Sequence, residues 1–150
     1  MLVHMGLSQQ QIEQFLTRYA ASLTALDADA AAHLWSMPAV IVDDRFSGVI
    51  ETREAMAAGL KRSYPLYQQL GLGSVAYDLL EAQPLTDKLV LAHVRWSFFD
   101  THGDLLIDST AYYLIRDEPS GLRAALCIQV DDLEKLQTLA TARGMDLRIG

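Results

Sequence analysis

Through the first thirty residues, apolar side chains recur at every third or fourth position: Ile12, Phe15, Leu16, Tyr19, Leu23 and Leu26. That spacing winds them onto one stripe of a helix. Ser8, with Gln11 three residues on, has the capping-box pattern that starts such a helix. After Leu26, Asp27 or Asp29 can cap a short second helix, predicted to carry His33, Leu34 and Trp35 and to stop at Pro38, whose ring cannot continue it. Residues 39–43 are rich in Val and Ile and read as a buried strand ending on two carboxylates, Asp43 and Asp44. A turn from Arg45 to Gly48 leads to a small partner strand at Val49 and Ile50. Thr52 then opens a third helix bearing Met56, Leu60 and Tyr64, which Pro65 ends or kinks, with Gly71 and Gly73 marking its exit.

Beyond Gly73 the period drops to two. Residues 75–83, 88–100, 105–116 and 122–130 are predicted as long strands, joined by short segments of turn-forming residues at 84–87, 101–104 and 117–121. Four such strands in succession make an antiparallel meander. On the second of them Val94, Trp96 and Phe98 share one face and His93 and Arg95 the other, and Trp96 and Phe98 are expected inside. Residues 131–150 read as a short helix through Leu133, Leu136, Leu139 and Ala140 with a loose end. Helices interleaved with a short hairpin and followed by a meander define an α+β domain whose helices cover one sheet face. The other face carries Leu89, Leu91, Tyr113 and Ile115, or their alternates, and is expected to be covered by a second copy in a homodimer.

With 150 residues, 51% of them hydrophobic and 21% charged, the chain has material for one core, so a single domain over 1–150 is expected, its core at 8–130. A net charge of −7, with 12 scattered Lys and Arg, offers no basic footprint for a phosphate backbone or an anionic membrane, so neither is an expected partner. No apolar stretch is long enough to span a bilayer, and Met1-Leu2-Val3-His4-Met5-Gly6 lacks the cationic and apolar regions of a signal peptide. A cytoplasmic protein is the expectation. Cys127, the only cysteine, lies in an apolar run and reads as a small core residue. His4, His33, His93 and His102 are far apart and show no metal motif, so no metal is expected. Gly71-Leu72-Gly73 lacks the third glycine of a phosphate loop and no Gly-x-Ser-x-Gly elbow occurs, which sets aside nucleotide and serine-hydrolase chemistry.

Several stretches resemble a known superfamily. They are Arg18-Tyr19-Ala20-Ala21-Ser22-Leu23, Leu26-Asp27-Ala28-Asp29 and His33-Leu34-Trp35, followed by the strand ending in Asp43. Trp96-Ser97-Phe98-Phe99-Asp100 with Gly103, and Ala111-Tyr112-Tyr113-Leu114 with Gly121-Leu122-Arg123, look like the final hairpin. Together they resemble the nuclear transport factor 2-like proteins, which include ketosteroid isomerases, SnoaL-like polyketide cyclases and scytalone dehydratase. The resemblance runs from Ser8 to Val130 and implies the cone-shaped, cystatin-like fold of that group. It also implies cofactor-free acid–base chemistry on a hydrophobic carbonyl compound. On the ketosteroid isomerase pattern the helix-one oxyanion donor falls on Tyr19, the carboxylate base on Asp43 and a second, protonated oxyanion donor on Asp108. Beside that reading stand others. Tyr19 is equally a core aromatic on the helix stripe, Asp43 a turn cap, and Asp108 a strand residue ion-paired to Arg95 or Arg123.

His33, Trp35, Met56, Leu60, Tyr77, Trp96, Phe98 and Tyr112 are the residues expected to wall an apolar cavity for a small hydrophobic or aromatic molecule. Two functions follow. One is an isomerase, cyclase or dehydratase built on Asp43, Tyr19 and Asp108. The other is a non-catalytic binding or association module using the same cone.

Overall fold

The computed structural model of the chain describes residues 7–144. Helix α1 (Gln9–Thr24) begins with the reciprocal cap that its sequence promised: Gln11 N–H donates to Ser8 Oγ at 3.1 Å and Ser8 N–H to Gln11 Oε1 at 2.9 Å. Its stripe of Ile12, Phe15, Leu16 and Tyr19 is buried. Leu26, held at φ +52°, turns the chain into α2 (Ala28–Ala32), where Asp27 Oδ1 accepts from Ala30 N–H at 3.1 Å.

Here the structure departs from the pattern-based expectation. α2 is a single alanine-rich turn that ends at His33, and Trp35 opens strand β1 (Trp35–Val42) instead of lying on the helix. Pro38 therefore sits inside a strand. It does so where the β1–β6 register shifts, between Trp35 and Val40, so its missing N–H breaks no ladder bond there.

β1 pairs antiparallel with β2 (Ser47–Ile50). Thr52 Oγ1 accepts from Ala55 N–H at 3.1 Å and starts α3 (Arg53–Gln69). Pro65 does not end this helix, which continues to Gln69 and closes with Gly71 at φ +85°. Then come β3 (Leu72–Pro84), β4 (Leu89–Asp100), β5 (Leu105–Glu118), β6 (Gly121–Gln129) and α4 (Asp132–Ala142). The six strands form one sheet in the order β2-β1-β6-β5-β4-β3, antiparallel throughout except for the β1–β6 pair. Gly73 is needed where β3 meets the end of β4, since a Cβ there would fall 2.5 Å from the Asp100 carbonyl oxygen.

Alternation decides which side chains meet the helices. On β4, Val90, Ala92, Val94, Trp96 and Phe98 are buried, and on β5 so are Ile107, Ser109, Ala111, Tyr113 and Ile115. Their neighbours Leu91, His93, Tyr112 and Leu114 are half-buried on the opposite face, where the rings of His93 and Tyr112 stack 4.1 Å apart. α1 is tied to β3 by Tyr77, whose hydroxyl donates to the Glu13 carbonyl at 3.0 Å and lies 3.1 Å from Thr17 Oγ1.

Candidate functional site

Where α1 and α3 lean against the inner sheet face they leave a cavity of about 210 Å³. Its roof is α3, which presents Leu60, Ser63, Tyr64 and Tyr67 at spacings of three and four. Tyr19, Leu23 and Leu26 from the end of α1 form one wall. The floor is sheet: Trp96 and Phe98 of β4, Ser109 to Ala111 and Tyr113 of β5, and Gln129 of β6.

The aromatic side chains are fixed by two indole-to-phenol hydrogen bonds. Trp35 Nε1 donates to Tyr19 Oη at 3.0 Å, and Trp96 Nε1 donates to Tyr113 Oη at 2.9 Å. The rings of Tyr19, Trp96 and Tyr113 lie within 5.5 to 6.1 Å of one another, while Tyr67 stacks on Phe98 at 5.4 Å. Burial, reinforced by Cys127 and opposed by the Trp35 N–H, pushes the Tyr19 phenol well above its ordinary range, so it stays protonated. Tyr64 exposes only 9% of its surface, and its hydroxyl has no hydrogen-bond partner among the described residues. Burial, then the charges of Asp27 and Asp29, push its pKa up as well. No Asp, Glu, His, Lys or Arg among the described residues lines the cavity.

Of the residues anticipated from sequence, the structure brings Tyr19, Leu60, Trp96 and Phe98 together around this space. Trp35 and Met56 are buried in the core behind it, and Tyr77 is spent on the α1–β3 contact. His33 is an exposed C-cap with Nδ1 2.7 Å from the Asp29 carbonyl, and Tyr112 faces outward onto His93.

The two carboxylates are elsewhere. Asp43 Oδ1 accepts the N–H groups of Arg45 at 2.8 Å and Phe46 at 3.0 Å, capping the β1–β2 turn. Asp108 lies 2.7 Å from Lys135 Nζ and 4.0 Å from Arg95 Nε. Hydrogen bonding from Lys135, with Arg95 adding its charge, holds its carboxyl below the usual range, which is the ionised state and not a protonated donor. The trio of Tyr19, Asp43 and Asp108 thus does not line one cavity.

Sequence reasoning missed Tyr64 and Tyr67 as lining residues, although Leu60, Tyr64 and Tyr67 continue the α3 stripe. Reading Pro65 as an end or a kink of the helix hid the last of them, since α3 runs on to Gln69. Tyr113 was missed because adjacent tyrosines give no sign of which one faces in.

A cone of helices closed on a curved, mostly antiparallel sheet, with its cavity between them, is the architecture of nuclear transport factor 2-like proteins. A family model described as NTF2-like protein (DUF6841) matches residues 9–132, and the chain belongs to that family. Among solved structures it is similar to an NTF-2 like protein of unknown function from Shewanella oneidensis. The identity is 15% and the TM-score 0.66, over 81% of this chain and 98% of that one. An NTF2-like protein with a cystatin-like fold from Novosphingobium aromaticivorans gives 20% identity and 0.63 over 87% of each chain. A ketosteroid isomerase-like protein from Erwinia carotovora atroseptica gives 14% and 0.57, over 81% of this chain and 93% of that one. No curated protein matches the chain in sequence.

Proposed function

We propose that the protein is a small-molecule-binding NTF2-like domain whose cavity takes up a small hydrophobic or aromatic compound without transforming it by acid–base chemistry. The observation that carries this reading is the lining: aromatic and aliphatic walls with the hydroxyl-bearing side chains of Ser, Thr and Tyr and one carboxamide, and no carboxylate or imidazole. A proton-abstracting mechanism needs a base within hydrogen-bonding reach of the substrate. Asp43, the residue to which resemblance assigns that role, is engaged by two backbone N–H groups of its own turn.

Size narrows the ligand. At about 210 Å³ the cavity is smaller than the roughly 300–1,000 Å³ typical of drug-sized ligands. It is larger than the roughly 150 Å³ apolar cavity that suffices for benzene. A one-ring compound fits and a four-ring steroid does not. The same reading pairs two chains through the outer sheet face, which leaves the cavity open to its ligand.

Ligand-observed NMR with toluene tests the proposal. Binding should be detected with the native protein and weakened at least about tenfold by Ala111→Leu, which fills the floor with added methyl groups. If toluene fails to bind the native chain, or binds Ala111→Leu equally well, the cavity is core packing and the proposal is wrong.

A further inference from the structure

Strand alternation puts Ser109 on the inner face of β5, between Ile107 and Ala111 and opposite Trp96 of β4. It lines the cavity there with only 4% of its surface exposed. Its hydroxyl makes no hydrogen bond among the described residues. Tyr64 Oη is the only polar side-chain atom among them that is both unpartnered and closed to a water molecule. The Ser109 hydroxyl is therefore open to the space it lines. Gln129 of β6 stands opposite Ala111, two residues beyond the buried Cys127, and so shares this inner face. It lines the cavity too, and its carboxamide has no hydrogen-bond partner among the described residues. Ser109 and Gln129 are diagonal neighbours on adjacent strands, about 7–8 Å apart, with the small Ala111 beside both. A single ligand atom above Ala111 can meet both side chains.

The chemistry of the two groups limits that atom. A serine hydroxyl donates and accepts, and a carboxamide carries both a donor and an acceptor. A group that also does both can satisfy the pair, and the smallest such group on a ring is a hydroxyl. An anion is disfavoured, because no cation lines the cavity and Gln129 also borders a small cleft with Asp43, Asp44, Asp131 and Glu134. The walls of Trp96, Phe98 and Leu23 favour a ring over a polar chain.

We infer that the cavity selects neutral monocyclic phenols, whose hydroxyl accepts from Ser109 and donates to the carboxamide oxygen of Gln129. This rests on the reading of the cavity as a small-molecule site. An apolar cavity without these two groups would reject a phenol, whose hydroxyl would be buried without a partner.

The test compares phenol with toluene, which has a methyl in place of the hydroxyl and nearly the same shape. Both are titrated into the full native chain, Ser109→Ala and Gln129→Met at about pH 7, where phenol is uncharged, by calorimetry or ligand-observed NMR. The native protein should bind phenol at least as tightly as toluene. Each variant should hold toluene within about twofold of native and weaken phenol by about fivefold or more. Toluene bound more tightly than phenol by the native chain would overturn the selection while leaving the cavity a binding site. Phenol binding unchanged in either variant would overturn the two-point contact. Loss of toluene along with phenol in both variants would assign Ser109 and Gln129 to packing and overturn it as well. Failure of both compounds to bind the native chain would overturn the selection and the binding site together.

Discussion

Tyr64 carries a phenol hydroxyl into a place where little can satisfy it. Left unpaired, that group costs folding energy that a phenylalanine of the same shape would not. Removing an unsatisfied buried donor recovers part of a desolvation penalty of about 1–3 kcal/mol. Tyr64→Phe is therefore expected to stabilise the ligand-free protein by about 1 kcal/mol, read as a higher urea midpoint at unchanged slope. A loss of stability would mean that the hydroxyl is bonded in the folded protein. Asp43 shows the opposite economy. Its carboxylate ends an apolar strand, as a catalytic base would, but two N–H groups of the next three residues reach it first. Nothing in the order of residues distinguishes those two fates, because both require an acid at a strand end. Asp108 was readable as ion-paired or protonated, and the group that makes the pair, Lys135, comes from α4, with the whole of β6 between them in the chain.

Helices and strands were legible wherever their signals were local. The capping box at Ser8, the Thr52 cap and the two-residue alternation of β3 to β6 depend on neighbours a few residues away. Pro38 and Pro65 misled because a local rule was overridden, by a register shift in one case and by continuing helical turns in the other. Facing was harder, since a one-residue slip exchanges Tyr112 for Tyr113 and empties or fills the cavity wall. α4 illustrates an element whose presence could be read but whose attachment could not. Leu136 and Ala140 are buried beneath it, Arg143 Nη1 donates to the Leu70 carbonyl at 2.9 Å, and Lys135 reaches Asp108 and, at 3.5 Å, Asp131. The hydrogen bond to Asp108 raises the Lys135 pKa as it lowers that of the carboxyl. Asp108 thus contributes stability above its unfolded pKa of about 3.9, lost as the pH falls through its lower folded value. Lys135 contributes below about 10.4, lost as the pH rises through its higher folded value. The pair is fully formed across neutral pH. Its side chains are 38% and 40% exposed, so screening limits its worth to about 0.2–1 kcal/mol. Lys135→Met should cost that much at pH 7 in low salt and much less at about 1 M salt, where the screening length shrinks to about 3 Å. Thermal melts at both salt concentrations check it, and a loss unaffected by salt would assign the role of Lys135 to packing.

On the scale of the molecule, the outer face of the sheet is patterned like an interface. Leu91, Leu114 and Leu126 lie abreast across β4, β5 and β6, and His93, Tyr112 and Ile128 form the next row, all half-buried. Polar residues frame these rows, with Arg95 opposite Thr110 on one side and Arg116 opposite Arg123 on the other. An apolar centre with a polar rim is the anatomy of a protein–protein contact. A second copy is the proposed partner because a sheet face can lie on its own two-fold mate, each apolar row meeting apolar side chains. The net charge of −7 on each chain opposes this association, so added salt should strengthen it, unlike a contact held by ion pairs. Sedimentation at about 50 µM, a range in which a dimer of micromolar affinity is mostly assembled, should give twice the chain mass. Leu114→Glu places a charge in the centre of the leucine row and should shift the protein to monomer. Since Leu114 points away from the cavity, toluene binding should survive the change. A native chain that sediments as a monomer, or a Leu114→Glu variant that stays dimeric, would mean that this face is not where the copies meet.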